Sequence, residues 1–160
     1  MERSANNHPF PVVKFIVAVL CLLACVGCTN IKVTPYVADI HPYRKTFYAR
    51  FDEAVSAVKA ALHESHWTVM DEVDPTIYER TKATSENQEV LIFTKTKSSF
   101  FLFGNRYKRI NVYVVTTPPN QTEIEVRYQK ITSLPFKKFY AYKNDRLTGK
   151  ILRSIEKHLQ

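Results

Sequence analysis

Residues 122–130 read Thr-Glu-Ile-Glu-Val-Arg-Tyr-Gln-Lys, and polar and apolar side chains alternate through the whole stretch. Successive side chains of a strand point to opposite faces of its sheet. The stretch therefore predicts a strand with one buried face, formed by Ile124, Val126 and Tyr128. The other face, formed by Glu123, Glu125, Arg127 and Gln129, is expected to meet water. This one-sided pattern is typical of an antiparallel sheet.

Further strands are predicted on the N-terminal side of this stretch. Residues 107–117 place Ile110, Val112 and Val114 on one face, and residues 89–97 alternate around Val90 and Ile92. Residues 66–70 and 76–83 are rich in apolar or β-branched residues and flank an acidic turn at 71–75. Short links between these segments favour antiparallel hairpins.

Two helices are expected to cover the buried face of the sheet. Residues 50–65 repeat apolar residues at helical spacing, from Phe51 to Leu62. A final helix begins after Asn144 or Asp145, either of which can cap it, and continues to about His158. The predicted fold class is α+β: a two-layer sandwich of four or five antiparallel strands, with the N-terminal and C-terminal helices packed on one face.

The domain division follows from these elements. Residues 1–27 are assigned to a leader and residues 28–46 to a flexible tether, in which 31–33 could form a short edge strand. Residues 47–160 form a single α+β domain, in which 131–142 is expected to be a linker of mixed aromatic and basic residues.

The leader has the features of a signal peptide. Arg3 and Lys14 precede the uncharged run of residues 15–24, and small residues follow the run. About 7–15 apolar residues is signal-peptide length, whereas a membrane-spanning helix needs about 20. The alternatives are a spanning helix and an ordinary secretory signal with incidental cysteines.

The end of this run resembles the lipobox of bacterial lipoproteins, whose cysteine is lipidated and becomes the new N-terminus. Val26-Gly27-Cys28 matches the last three positions but has Cys25 where Leu is usual. Leu22-Leu23-Ala24-Cys25 matches throughout but leaves a shorter apolar run. Cys28 is the preferred lipidation site because polar sequence follows it at once, and Cys25 is the alternative. Thr29 is not the Asp typical of inner-membrane retention, so the resemblance implies the periplasmic face of the outer membrane.

Cysteine content and charge narrow the possible partners. Cys21, Cys25 and Cys28 all lie in or next to the leader, so the mature chain is expected to have no disulfide. Loss of Glu2, Arg3 and Lys14 with the leader leaves a net charge of +7. Export makes nucleic acid an unsuitable partner for this charge. The expected partners are the membrane, through the covalent lipid, and another envelope protein, anionic lipid or cell-wall polymer.

Residues 51–83 are similar to the small domains of the C-component lipoprotein of the outer-membrane β-barrel assembly machinery. The similarity consists of Ala60-Ala61-Leu62 near the end of the first helix, Trp67-Thr68-Val69, an acidic turn, and Ile77 at the start of the next strand. His66 stands where such domains often have Gly. The resemblance implies an accessory outer-membrane lipoprotein and assigns no functional residue other than the lipidated cysteine.

No motif predicts catalysis. His63 and His66 lack the spacing of a zinc-protease motif, and the acidic residues at 71–74 are typical of a turn. Ser98 and Ser99 have no nucleophile elbow, and the chain's three glycines form no phosphate-binding loop. The sequence therefore predicts a protein that is not an enzyme, with no cofactor and no metal.

Two surfaces are candidates for interaction. Phe100, Phe101, Leu102 and Phe103 precede Arg106, Lys108 and Arg109, so this segment predicts either a tip that inserts into a bilayer or partner groove, or a hairpin whose phenylalanines cap the core beside a tight turn at Gly104-Asn105. The final helix presents a basic stripe, which is either a docking site or a solvated face. The stripe consists of Arg146, Lys150, Arg153 and Lys157.

The sequence thus predicts a lipid-anchored, non-enzymatic accessory or scaffold protein of the cell envelope. The alternative is a carrier that binds a small ligand or lipid in a pocket between the helices and the sheet. The sequence carries no prediction of oligomeric state.

Overall fold

The computed structural model describes residue 16 and residues 33–78, 87–101, 104–117 and 120–160, with only the backbone of Phe101. These residues contain seven strands, two α-helices and one short 3₁₀ helix. The strands are β1 (Tyr43–Phe47), β2 (Val69–Val73), β3 (Glu89–Thr94), β4 (Lys97–Phe101), β5 (Gly104–Thr117), β6 (Gln121–Leu134) and β7 (Lys137–Ala141). The helices are α1 (Phe51–Glu64) and α2 (Asp145–His158), and the 3₁₀ helix is Pro75–Ile77.

One antiparallel sheet contains all seven strands. Strands β5 and β6, each of 14 residues, form a long central hairpin. At one end of this hairpin the strand order is β2-β3-β5-β6-β1. At the other end β4 pairs with β5 and β7 pairs with β6. The two central strands thus join a helix-covered end of the sheet to a second end made of two short hairpins.

The predicted fold class is wrong in the composition of its sheet. The protein is mostly antiparallel sheet with seven strands and two described helices, not a sandwich built on four or five strands. Three of the strands, β1, β4 and β7, fall in segments expected to be tether, tip or linker. Each is a five-residue edge strand. Such strands have little periodicity of their own and form because the long central hairpin offers them unpaired backbone groups.

The predicted acidic turn and the strand after it also differ from the structure. Asp71 and Glu72 lie within β2, and the chain turns only at the 3₁₀ helix, where the Asp74 carboxylate accepts a hydrogen bond from the Thr76 backbone N–H at 2.8 Å. Ile77 belongs to that 3₁₀ helix and does not open a strand. Residues 79–83 lie outside the described residues.

Local capping explains where the helices begin and end. The Asn144 side chain caps α2 by accepting the Leu147 N–H at 3.2 Å, so Asn144 rather than Asp145 is the capping residue. Helix α1 ends in a Schellman motif: His66 has a φ of 59° and Trp67 N donates to the Leu62 carbonyl. A left-handed residue at this position is most often Gly. In this protein His66 adopts the left-handed conformation without glycine.

Both helices pack on one face of the sheet. Their apolar residues, including Val58, Leu62, Ile151 and Ile155, are buried against the inward residues of β3, β5 and β6. Val112 lies between Ile92 and Val126 in the strand register, so a continuous apolar row crosses the three strands. Burial of this surface is the main stabilising contribution to the fold.

The opposite face of the sheet does not meet water as expected. Glu125 and Arg127 have exposed fractions of 0% and 1%. The Arg127 Nε donates to Glu125 Oε1, and Arg44 Nε donates to Glu125 Oε2 at 2.7 Å. This hydrogen bond to Glu125 raises the pKa of Arg44. Alternation along a strand distinguishes two faces, but it cannot tell a solvated polar face from a buried one whose charges are paired.

The segment before β1 covers much of this polar face. The Tyr36 hydroxyl accepts from Arg127 at 3.3 Å, and the Tyr36 ring stacks on Tyr78 with centroids 5.5 Å apart. Asp39 pairs with Arg44 at 2.9 Å, and Val37 is completely buried. Residues 33–46 of the expected tether therefore pack in the folded domain, and 43–47 form β1.

Glu125→Gln should destabilise the protein strongly. The substitution removes a negative charge that pairs with the buried Arg127 and the half-exposed Arg44. Removing one partner of a buried ion pair costs about 3–5 kcal/mol of unfolding free energy, measurable by denaturant titration. Glu123→Gln is the matched control, because Glu123 lies 3.8 Å from Arg44 and is 32% exposed. It should cost at most about 1 kcal/mol. Equal losses in the two variants would contradict a special role for Glu125.

Candidate interaction surface

The two short hairpins at one end of the sheet form the candidate surface, which we name the hairpin end. It consists of residues 97–101, 104–109 and 130–141. Register places the adjoining ends of β4, β5 and β6 side by side, because Phe101 pairs with Gly104 and Asn105 pairs with Ser133. Residues 97–109 and 130–141 contain seven Lys and Arg residues and no Asp or Glu. The hairpin end is thus a basic projection of the sheet.

Large aromatic side chains are exposed on the hairpin end. Phe136, in the β6–β7 turn, is 93% exposed, and Phe100, on β4, is 78% exposed. Tyr140 and Phe139, on β7, are 55% and 46% exposed. The register places Phe139 on one face of the sheet and Phe100 and Tyr140 on the other, so both faces carry exposed rings. Exposed apolar side chains concentrated in one part of a molecule are typical of an interaction site. The hairpin end therefore combines apolar contact area with positive charge.

Three lysines form a row across adjacent strands, which we name the lysine row. Lys108 on β5 lies directly between Lys97 on β4 and Lys130 on β6 in the strand register. Directly paired residues of an antiparallel sheet point to the same face, with Cβ atoms about 5 Å apart. Like charges in such pairs are destabilising. The positive charges of the lysine row therefore repel one another. Neutral residues at these three positions would avoid this cost in stability.

The surroundings of the lysine row do little to relieve that repulsion. Burial and the charge of Lys108 lower the pKa of Lys97. Among the described residues no carboxylate lies within 4.0 Å of the three ammonium groups, although Lys97 Nζ lies 4.0 Å from the Trp67 ring centroid. The lysine row therefore offers positive charge that an anionic group can neutralise.

The predicted tip is only partly described. Phe100 is exposed on β4, whereas Leu102, Phe103 and the side chain of Phe101 lie outside the described residues. Gly104 and Asn105 belong to β5 and do not form the expected turn. A Cβ on Gly104 would lie 1.7 Å from the Ser133 carbonyl oxygen, so the close approach of β5 and β6 requires glycine at this position.

The basic residues predicted after the tip divide between two roles. Arg106 and Lys108 are half-buried and point to the face of the lysine row. Arg109 is 8% exposed and donates to the Thr34 carbonyl and the Thr96 hydroxyl. Burial lowers the pKa of Arg109. Arg109 thus holds the N-terminal segment to the sheet and contributes little to the outer surface.

The basic stripe of α2 is exposed to solvent. Its four predicted residues all lie on the outer side of the helix: Arg146, Lys150, Arg153 and Lys157. Strand pairing does not join them to the hairpin end. The stripe therefore stays a separate, predicted interaction surface.

Sequence reasoning missed several residues of the hairpin end. Phe136, Phe139 and Tyr140 were expected in a linker, and Lys97 and Lys130 were expected only as strand-end residues. A Pro135-Phe136 turn between two short β-rich segments is the signal that could have shown the β6–β7 hairpin. The lysine row itself depends on register, which sequence periodicity does not supply.

Other parts of the described chain show no comparable site. One cavity, of about 470 Å³, lies on α1 beside Asp52, Ser56 and His158, and another, of about 350 Å³, lies beside Pro42 and Tyr43. Within the described ranges no group of three or more His, Cys, Asp or Glu residues can hold a metal ion. No described helix is long and apolar enough to cross a bilayer. Cys25 and Cys28 lie outside the described residues.

Comparison with known proteins yields no family assignment. No protein-family model matches the chain, and no curated protein matches it. The functional argument therefore rests on the residues and geometry described above.

Lys108→Gln should stabilise the folded protein. The substitution removes the central charge of the lysine row, so the free energy of unfolding should rise by up to about 1 kcal/mol at low salt. The gain should shrink in high salt, which screens exposed charges. Lys138→Gln is the control, because Lys138 pairs with Ser133 rather than with a cation. A loss of stability in Lys108→Gln at every salt concentration would contradict the repulsion inferred here.

Proposed function

We propose that this protein is a lipid-anchored, non-enzymatic accessory or interaction protein of the bacterial cell envelope, positioned at the periplasmic face of the outer membrane, and that the hairpin end is its contact surface. The exposed aromatic residues on the faces and turn of the hairpin end, together with its cations, carry the assignment of the surface. The lipobox-like sequence ending at Cys28 supports the anchor. Its partner is an envelope component that offers both apolar and acidic groups.

Packing favours an interaction protein over a ligand carrier. The space between the helices and the sheet is occupied by buried side chains that include Leu62, Trp67, Ile110 and Ile155. The two described cavities lie at the edge of that layer, one along α1 beside His158 and the other beside β1. Exposed aromatic residues at the hairpin end provide contact area that a carrier does not need.

Cys28→Ala should prevent stable membrane association of the mature protein. Loss of the thiol removes the acceptor for the lipid, and stable anchoring needs more than one acyl chain or a second binding signal. The measurement is the fraction of the protein in membranes after cell lysis and high-salt washing. Cys25→Ala is the matched control and should keep the protein in membranes. The reverse pattern would assign the lipid to Cys25, and no effect of either change would contradict the lipoprotein assignment.

The double variant Phe100→Ser, Phe136→Ser should weaken contacts made in the intact envelope without destabilising the fold. Both rings are largely exposed, so the melting temperature should change little. Chemical crosslinking in intact cells should give several-fold less of the products that involve the hairpin end. Tyr48→Ser is the control, because Tyr48 is 88% exposed and follows β1, whose last residue pairs with Thr122 at the opposite end of β6. Equal crosslinking in the two variants would exclude the hairpin end as the contact surface.

A further inference from the structure

The N-terminal segment has a defined direction on the sheet. Its contacts advance along β5 in chain order: the Thr34 carbonyl accepts from Arg109, and the Pro35 carbonyl accepts from Asn111 at 3.2 Å. Tyr36 then meets Arg127, the register partner of Asn111. Traced backwards from Tyr36, the described part of this segment therefore begins near Arg109, beside the hairpin end.

Chain length limits which end of the sheet the anchor can approach. Thr34 is six positions after Cys28, and an extended chain over six residue steps spans at most about 22 Å. From Arg109, the backbone at Gly104 is five residues away along β5, or about 17 Å. Thr117, at the opposite end of the same strand, is eight residues away, or about 27 Å. An anchor at Cys28 can therefore reach the level of the hairpin turns more readily than the opposite end of the sheet.

The aromatic and basic groups of the hairpin end lie in the same order as the apolar interior and the phosphates of a bilayer surface. Phe136 lies in the turn at the extreme end, and the lysine row lies on the central strands farther back. Lys108 is four residues from Gly104, a separation of about 13 Å. Groups at a bilayer interface enter the headgroup and acyl boundary by about 5–10 Å. Lysine side chains can extend along the sheet to reach phosphates at that level.

We propose that the hairpin end rests on the anionic phospholipid surface in which the anchor is inserted, with Phe136 and its neighbours in the interface and the lysine row against lipid phosphates. This proposal rests on the proposed function, because it uses the lipid anchor at Cys28. Charge complementarity favours a phospholipid layer as the binding partner. The hairpin end has no acidic residue, and a phospholipid layer offers phosphates above an apolar interior. The domain therefore stands on the membrane with α1, α2 and Tyr48 directed away from that contact.

Site-specific photocrosslinking in cells that produce the full chain tests this orientation. A photoreactive benzoylphenylalanine replaces Phe136 in one variant and Tyr48 in another. Both residues are exposed, at 93% and 88%, and they lie near opposite ends of β6. After irradiation, mass spectrometry should find phospholipid adducts at position 136 and several-fold fewer at position 48.

A second experiment tests the lysine row. The purified full chain with the photoreactive group at position 136 is reconstituted in vesicles of phosphatidylglycerol and phosphatidylcholine, and in vesicles of phosphatidylcholine alone. Phosphatidylglycerol should increase the yield of lipid adducts. Lys97→Gln, Lys108→Gln, Lys130→Gln should reduce that increase by at least about tenfold, since each cation near an anionic surface contributes about a fivefold factor in affinity. Arg146→Gln, Lys150→Gln, Arg153→Gln removes the same charge from α2 and should leave the increase unchanged.

The outcomes separate this inference from the proposed function. Protein adducts instead of lipid adducts at position 136 would overturn the bilayer contact and leave the interaction protein in place. Equal lipid adducts at positions 136 and 48 would overturn the orientation. An equal effect of the two triple variants would overturn the role of the lysine row. Failure of Cys28→Ala to alter membrane association would instead contradict the anchor on which both proposals depend.

Discussion

The Glu125 carboxylate, held between the guanidinium groups of Arg127 and Arg44, is the interaction on which the rest of the structure depends. A buried carboxylate and a buried guanidinium are tolerated only when they are paired and shielded together. The shielding comes from Tyr36 and from the residues that follow it, including Asp39. The ion pair thus requires the chain before β1 to lie on the sheet. It also fixes the position of Tyr36 and its neighbours on the sheet.

Glu125 and Arg127 lie on β6, and the central β5–β6 hairpin extends from this ion pair to the hairpin end of the sheet. Its helix-covered half contains the apolar core, and its other half supports β4 and β7 without a described helix above them. Cations placed directly opposite one another on the lysine row oppose stability there. The core end can tolerate that cost because buried apolar side chains supply most of its stability. The helix-covered half of the sheet thus stabilises the fold, and the hairpin end is available for contact with a partner.

Part of this arrangement could be predicted from the sequence. Helical spacing located α1 and α2, and strict alternation located the apolar side of β6, because burial of one face imposes a period on the residues. The same alternation failed for Glu125 and Arg127, since a paired, buried polar face has the same pattern as a solvated one. Strands β4 and β7 were missed because their pairing with β5 and β6 forms them, rather than any period of their own. Cys28 and its lipid stay predictions, because that residue lies outside the described chain.

Val37→Ala tests most directly whether the segment before β1 belongs to the folded domain. Val37 is completely buried, so truncating it should reduce the free energy of unfolding by about 1–3 kcal/mol in a denaturant titration. Ile40→Ala, three residues further along and 48% exposed, should have a much smaller effect. If both variants unfolded like the unchanged protein, the segment would be a free tether. The orientation of the hairpin end would then lose its structural basis.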